Sequence, residues 1–325
     1  MTRLTEDDLI ARHFAPLATL AGADGLRDDA ALIEPPPGMG FVVTVDALVE
    51  TVHFLPDDPP ATIAQKSLRV NLSDLAAKGA EPYGFLLSLG LPDGWTDAWL
   101  DGFASGLAAD VAAYRFPLIG GDTVRTPGPL TLSVTAFGIV PSGSIPRRGG
   151  ARPGDRLFVS GTIGDGALGL RVLRGDLASL SSEDRAHLVD RYRVPRPRVG
   201  LAAAVLKHAS ASMDLSDGFV GDLRKMLRVS GVSATIDLAA VPLSPAVRAA
   251  IAMESALFEK AVTGGDDYEI LCAVPPGSVE GFVKAAAEAD VAVAHVGTVT
   301  EGGDGPVFTE RGEERRFGAG SFSHF

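Results

Sequence analysis

Apolar and polar positions along this chain fall into segments that switch repeatedly between strand and helix periods. Phe41–Val45 is β-branched and apolar, the composition of a buried strand, and ends at Asp46. Ile63, Leu68, Leu72, Leu75 and Ala76 recur at helical spacing, and Gly79 supplies a stop. Phe85–Leu91 reads as a strand, Asp97–Tyr114 as a helix, and Leu130–Val140 as a long strand. Between the last two, Pro117–Ile119 is expected to be a short strand that breaks at Gly120-Gly121-Asp122. Near the start, Thr5 with Asp8 three residues on predicts an N-cap for a helix over Leu9–Leu20. Pro141–Gly154, rich in Pro, Gly, Ser and Arg, has the composition of a connection. Beyond it, strands are predicted at Arg156–Ser160, Ala234–Leu238, Tyr268–Val274 and Val291–Val299. Helices are expected near 166–174, 183–192, 197–208 and 219–229, and at Val279–Ala289. The alternation predicts an α/β (α+β) class in both halves.

Composition sharpens this picture. A chain of 325 residues that is 46% apolar can fill a core in each of two domains, divided here as 1–141 and 142–325. General disorder is excluded. Lys and Arg total 29 against 41 Asp and Glu, a net charge of −12, so nothing draws the protein to nucleic acid or an anionic membrane. A phosphorylated substrate would need a cation to mediate. Cys272 is the single cysteine and sits in an apolar run, as a small core residue does. The N-terminus MTRLTEDDLI lacks the basic-then-apolar order of a signal peptide, and no apolar run approaches the ~18–20 residues that span a bilayer. A cytoplasmic location is expected.

The placement of the aspartates is the informative feature. Asp28-Asp29 follow a glycine-containing turn, Asp46 closes a strand, and Asp74 lies on an apolar helix. Asp122 and Asp266-Asp267 each follow Gly-Gly, and Asp214 and Asp217 flank Leu-Ser, echoing Asn71-Leu-Ser-Asp74. Each alone is readily a turn former or cap. Together, carboxylates at element ends would repel one another unless cations neutralise them, and oxygen ligands without cysteine or paired histidines suit Mg²⁺. No G-x-x-x-x-G-K-[ST] is present. A G-x-G-x-x-G match, Gly164-Asp-Gly166-Ala-Leu-Gly169, keeps an NAD-dependent oxidoreductase as an alternative. The acidic residues about 20 positions on, Glu183 and Asp184, sit in a polar helix start and not at a strand end.

Several blocks resemble thiamine-monophosphate kinase. They are Gly25-Leu-Arg-Asp28-Asp29, Thr44-Val-Asp46 through His53-Phe54, Asn71-Leu-Ser-Asp74, Gly120-Gly-Asp122-Thr, Arg148-Gly-Gly-Ala-Arg-Pro-Gly-Asp155, Asp214-Leu-Ser-Asp217-Gly, Gly264-Gly-Asp266-Asp267-Tyr-Glu and His324-Phe325, in family order. The resemblance implies an aminoimidazole-ribonucleotide-synthetase-like fold. Its N-terminal domain would bind ATP and magnesium and supply dimer-forming β-strands; a C-terminal α/β domain follows. The implied partners are ATP, thiamine monophosphate, several Mg²⁺ ions and a second copy of the chain. Another ATP-using member of the same superfamily is the alternative.

Carried over by position, Asp29, Thr44, Val45 (through its carbonyl), Asp46, Asp74, Asp122, Asp214 and Asp217 match metal ligands. Tyr114, Gly121, Asp122, Arg148 and Ser216 match positions contacting ATP, and His53 and Asp266 match positions contacting the substrate. Asp46, Asp217 and Arg148 are the implied catalytic set. Taken by themselves, His53 also reads as a structural histidine and Arg148 as a surface residue. Three positions depart from the family pattern: Arg27 where glycine is usual, Val45 where threonine is frequent, and Asp266 where glutamate is commoner. Either Phe317 or Phe322 is expected to cover the substrate.

Overall fold

The computed structural model describes residues 5–303 and 305–318. The chain divides into two units, one of residues 1–75 and 81–143, the other of residues 76–80 and 144–325. In the first unit, β1 (Met39–Val49), β2 (Glu81–Pro92), β3 (Leu118–Thr126) and β4 (Thr131–Pro141) form a sheet in the order β1-β4-β2-β3. β4 runs antiparallel to both of its neighbours, whereas β2 and β3 are parallel. Strand alternation sorts the residues onto two faces. Leu132, Val134 and Ala136 are buried, and their β1 partners Leu48, Asp46 and Thr44 share that face. On the other face Val43 and Val45 are 55% and 60% exposed. The long helices of this unit are α2 (Pro60–Ala77), apart from its last residues, and α3 (Asp97–Tyr114). Arg69 on α2 pairs with buried Asp110 on α3 at 2.7 Å, tying the helices together.

The second unit carries a seven-stranded sheet in the order β11-β10-β7-β9-β5-β8-β6. Its strands are β5 (Arg156–Ser160), β6 (Ala211–Leu215), β7 (Ser233–Asp237), β8 (Glu269–Val274), β9 (Val293–Thr300), β10 (Pro306–Glu310) and β11 (Glu313–Arg315). Leu271 and Ala273 of β8 enter one core together with Phe219, Leu223 and Leu227 of α7 (Phe219–Ser230). Ile270, Cys272 and Val274 enter another with Val205 of α6 (Ala202–His208) and Phe282 of α10 (Val279–Glu288). A strand covered on both faces has no polar side to show, which is why the β8 sequence is apolar without alternation. Burial pushes the Cys272 thiol up to about 12, so this cysteine is the inert core residue expected.

Three sequence expectations change. The N-terminal helix is interrupted: α1 covers only Glu6–Leu9, followed by a wider π turn at Ile10–Phe14 and a tighter 3₁₀ turn that ends at Leu17. Pro16 removes a backbone donor there. The cap at its start stands, since the Asp8 amide donates to the Thr5 hydroxyl at 3.2 Å. Neither Asp46 nor Gly120-Gly121-Asp122 ends its strand: β1 runs on to Val49 and β3 to Thr126. A β-carbon at Gly121 would lie 2.0 Å from the Leu87 carbonyl oxygen, so the glycine is what lets β2 and β3 come together. Finally, α8 (Pro245–Met253), α9 (Leu257–Thr263) and the β10–β11 hairpin add elements the periodicity did not reveal. Their punctuation was nonetheless present. Ser244 caps α8 by accepting from the Val247 amide at 3.1 Å, ahead of Pro245. Arg311 and Gly312, both at positive φ, make the two-residue turn between β10 and β11. The remaining helices, α4 (Asp165–Leu173) and α5 (Ser182–Arg193), fall where expected.

Candidate active site

In the first unit the candidate acids fall into two groups. An open cleft of about 260 Å³ is walled by Asp28 and Asp29 on one side and by Gly120, Gly121 and Asp122 on the other. All three aspartates are exposed. The second group is Thr44, Asp46 and Asp74. The Thr44 hydroxyl donates to the Asp74 carboxylate at 2.5 Å, and Asp46 follows two positions on along the same face of β1. Asp46 and Gly121 lie in one row across the sheet, through Val134 and Leu87, on opposite edge strands. Three strand spacings separate them, about 14 Å. Val45, between Thr44 and Asp46, turns its side chain to the exposed face, so only its backbone is available beside these acids.

In the second unit, antiparallel pairing of β6 with β8 brings candidate residues from distant sequence together. The Asp266 amide donates to the Ser216 carbonyl at 2.8 Å, and the Tyr268 amide to the Leu215 carbonyl at 2.9 Å. Ser216 and Asp217 therefore sit directly against Asp266, with buried Asp214 two residues back on β6. Lys225, in the second turn of α7, hydrogen-bonds both Asp217 and Asp222. Burial works against its charge, but those two carboxylates outweigh burial and raise its pKa. Burial raises the Asp222 pKa, with Lys225 pulling the other way. Lys225 went unnoticed in the sequence; its signal is the Asp222-x-x-Lys225 spacing at the start of a helix. Arg148 lies elsewhere: its neighbour Arg147 bridges to Ala211, at the far end of β6. A five-residue strand, about 16 Å, separates that point from Ser216 and Asp217.

The glycine motif has a different occupant from the one a dinucleotide enzyme requires. The Gly164 amide donates to both Asp267 oxygens at 2.8 and 3.0 Å, and the Gly166 amide to one at 3.2 Å. The anion at this helix start is a side chain of the protein itself. Asp184, which a ribose contact would use, is hydrogen-bonded instead to the helix cap Ser181 at 2.7 Å.

Other expected positions have local roles. The His53 Nδ1 accepts from the Val49 amide at 2.9 Å, which places the proton of the neutral ring on Nε2. The Tyr114 ring lies under the Arg69 guanidinium, 5.6 Å from its centroid. Arg27 has φ −99°, a conformation open to any residue, and its side chain turns to Asp24 at 2.5 Å. Replacing a glycine there strains nothing; the left-handed positions are Asp24, Gly25 and Leu26. Phe317 is 6% exposed and packs edge-on against Phe308 at 5.0 Å, a core contact. Phe322 and His324-Phe325 lie outside the described residues.

These donors are carboxylates, a hydroxyl and carbonyls, the ligand chemistry of Mg²⁺. Among the described residues, no three or more His, Cys, Asp or Glu side chains gather as a ready-made metal cage. The donor set fits an ion that takes one or two carboxylates and completes its shell with water and phosphate oxygens.

The sequence matches the AIR synthase related protein, N-terminal domain over residues 27–140 and the AIR synthase related protein, C-terminal domain over residues 152–309. It is 45% identical over 302 residues to a thiamine-monophosphate kinase of Caulobacter vibrioides, covering 92% of this chain and 85% of that protein. The crystal structure of thiamine-monophosphate kinase from Stenotrophomonas maltophilia K279a superposes with a TM-score of 0.80 at 36% identity, covering 89% of this chain and 91% of that one. AaThiL complexed with AMPPCP and TMP superposes with a TM-score of 0.77 at 29% identity, covering 92% and 91%.

Proposed function

The chain belongs to the thiamine-monophosphate kinase family of AIR synthase related proteins, and from that membership we propose how its residues carry out the reaction. The protein is an ATP-dependent kinase that phosphorylates thiamine monophosphate to thiamine diphosphate. The observation that carries this reading is the AaThiL complex, which holds AMPPCP and TMP together on the same two-domain fold. It also accounts for the chemistry of the chain. The attacking phosphate oxygen is largely deprotonated at neutral pH, with a second pKa near ~6, so no strong general base is needed. The task is to bring two anions into line, and the protein works by positioning and charge neutralisation.

In this reading Asp29, Thr44, the Val45 carbonyl, Asp46, Asp74, Asp122, Asp214 and Asp217 would hold Mg²⁺. When bound, the ions neutralise the phosphate oxygens that otherwise repel one another and the acidic protein. Asp46 and Asp217 anchor that arrangement, and Arg148 supplies a cationic donor to the nucleotide. Tyr114, Gly121, Asp122 and Ser216 contact ATP; His53, through its Nε2 proton, and Asp266 contact thiamine monophosphate. Transfer is direct and in line, with the phosphate oxygen of the substrate itself serving as the nucleophile, so the reaction requires no phosphoenzyme.

A second copy of the chain covers the open face of the four-stranded sheet. That face carries exposed Val43 and Val45 and an aromatic cluster in which Phe41 meets Tyr83 at 5.2 Å and Phe137 at 5.9 Å. Among the described residues no helix is long and apolar enough to cross a membrane.

A coupled assay with purified protein, Mg-ATP and thiamine monophosphate tests the activity. ADP release is expected only with that substrate; release with free thiamine or an aminoimidazole precursor in its place would overturn the assignment. Sedimentation of the same preparation should show a dimer, and a monomer would remove the proposed partner.

A further inference from the structure

We propose that Asp267 is a positioning residue: clamped by the Gly164 and Gly166 amides, it holds the 264–268 loop in the conformation that sets Asp266 against Ser216 and Asp217. The inference rests on the reading of Asp266 as a substrate contact and extends it to a residue one position on that faces the interior.

The loop needs holding. Asp266 and Tyr268 have φ of +65° and +53°, left-handed values that a residue with a β-carbon disfavours, and Gly265 between its neighbours stands at +77°. Such conformations persist where the surroundings over-determine them. Two main-chain hydrogen bonds, from the Asp266 and Tyr268 amides to the Ser216 and Leu215 carbonyls, fix one side of the loop. The opposite side is fixed by Asp267, which is 1% exposed.

Its carboxylate takes amides at the start of α4, where helix geometry leaves backbone donors without intrahelical partners. The fit is close on both sides. A β-carbon on Gly164, itself at φ +91°, would lie 2.4 Å from that of Ala261, and one on Gly166 would lie 2.2 Å from the Asp266 carbonyl oxygen. Behind the loop, the Arg191 guanidinium donates to the Asp267 carbonyl at 3.3 Å and to the Glu269 carboxylate at 3.0 Å. Glu269 is in turn held by Arg198 at 2.6 Å and by the Ser160 hydroxyl at 2.6 Å. The glycine motif thus has a purpose without any bound nucleotide: its amides and its lack of side chains seat a loop whose next residue faces the reaction.

A scaffold role alone would lower stability without favouring one substrate, so the test compares KM for each. The variants are Asp266→Ala, Asp267→Asn, Gly166→Ala and Arg198→Gln, with thermal unfolding recorded for each. Gly166→Ala displaces the same loop from the other side, and so covers the case in which Asp267→Asn does not fold. Asp266→Ala should raise KM for thiamine monophosphate. Asp267→Asn and Gly166→Ala should raise KM for that substrate about ten- to a hundredfold while KM for ATP holds. Arg198→Gln, which weakens the buried network without touching the loop, should lower Tm and leave both KM values in place. If Asp266→Ala raises KM while the folded loop variants do not, or if they raise both KM values equally, the positioning role is overturned alone. If Asp266→Ala leaves KM unchanged, the assignment of Asp266 falls, and the inference with it.

Discussion

Gly-Gly-Asp occurs three times in this chain, and the copies at Gly120-Gly121-Asp122 and Gly264-Gly265-Asp266 have different fates. The first lies inside a strand, where Gly121 clears the Leu87 carbonyl and Asp122 stays exposed at an open cleft. The second is a left-handed loop, where Gly265 clears the Ser216 carbonyl and Asp267 turns into the interior. One local pattern serves two purposes because glycine's usefulness is set by what approaches it. The same contrast runs through the acids. Asp28, Asp29 and Asp122 face solvent, where water and incoming ions can satisfy them. Asp165, Asp267 and Glu269 are 0–1% exposed and satisfied by arginines, hydroxyls and amides of the chain. Burial without such partners would be prohibitive for a carboxylate, so these acids act on the protein's own loops and strands and not directly on ions or substrate.

That division can be tested from its strongest consequence downward. Glu269→Ala leaves Arg191 and Arg198 without their shared carboxylate and should destabilise the fold by about 3–5 kcal/mol, read as a drop of roughly 10 °C in Tm. An unchanged Tm would place Glu269 outside the scaffold. Asp46→Asn and Asp122→Asn should do the opposite, cutting kcat about a hundredfold or more, ~2.7 kcal/mol, with Tm within a degree or two of the parent. Full activity in either would return that acid to the surface. The smallest effect belongs to Thr44→Val, which removes the hydroxyl donated to Asp74 and keeps the shape. About a tenfold loss in kcat/KM is expected, partly recovered at higher Mg²⁺, and no recovery would separate Thr44 from metal binding.

Part of the candidate site was legible in the sequence because Asp28-Asp29, Asp217 and Asp266 sit in turns, where the chemistry is local, whereas Asp46 and Asp122 lie inside β1 and β3. Thr5 with Asp8, Gly79 after its helix and Ser244-Pro245 are all signals carried by a few consecutive residues. The interruption of the first helix had a local signal in Pro16 that the periodicity masked. The passage of β3 through two glycines was not legible, since it depends on the parallel neighbour alongside. Lys225 and the Arg191–Glu269–Arg198 group share that difficulty, since a charged residue in sequence does not reveal whether it will be buried beside its opposite.

The sequence alone determined the alternating class, the inert cysteine, the acidic balance and the kinase family, since composition, periodicity and motif order are properties of a string. Only the tertiary structure decided which aspartates face a cleft and which are locked inside. It also set Asp46 and Asp122 on opposite edges of one sheet and gave the Gly164–Gly166 amides an internal carboxylate. The reason is physical: an ionised group takes its role from the dielectric and the donors around it, and those come from strands and helices far away in the chain.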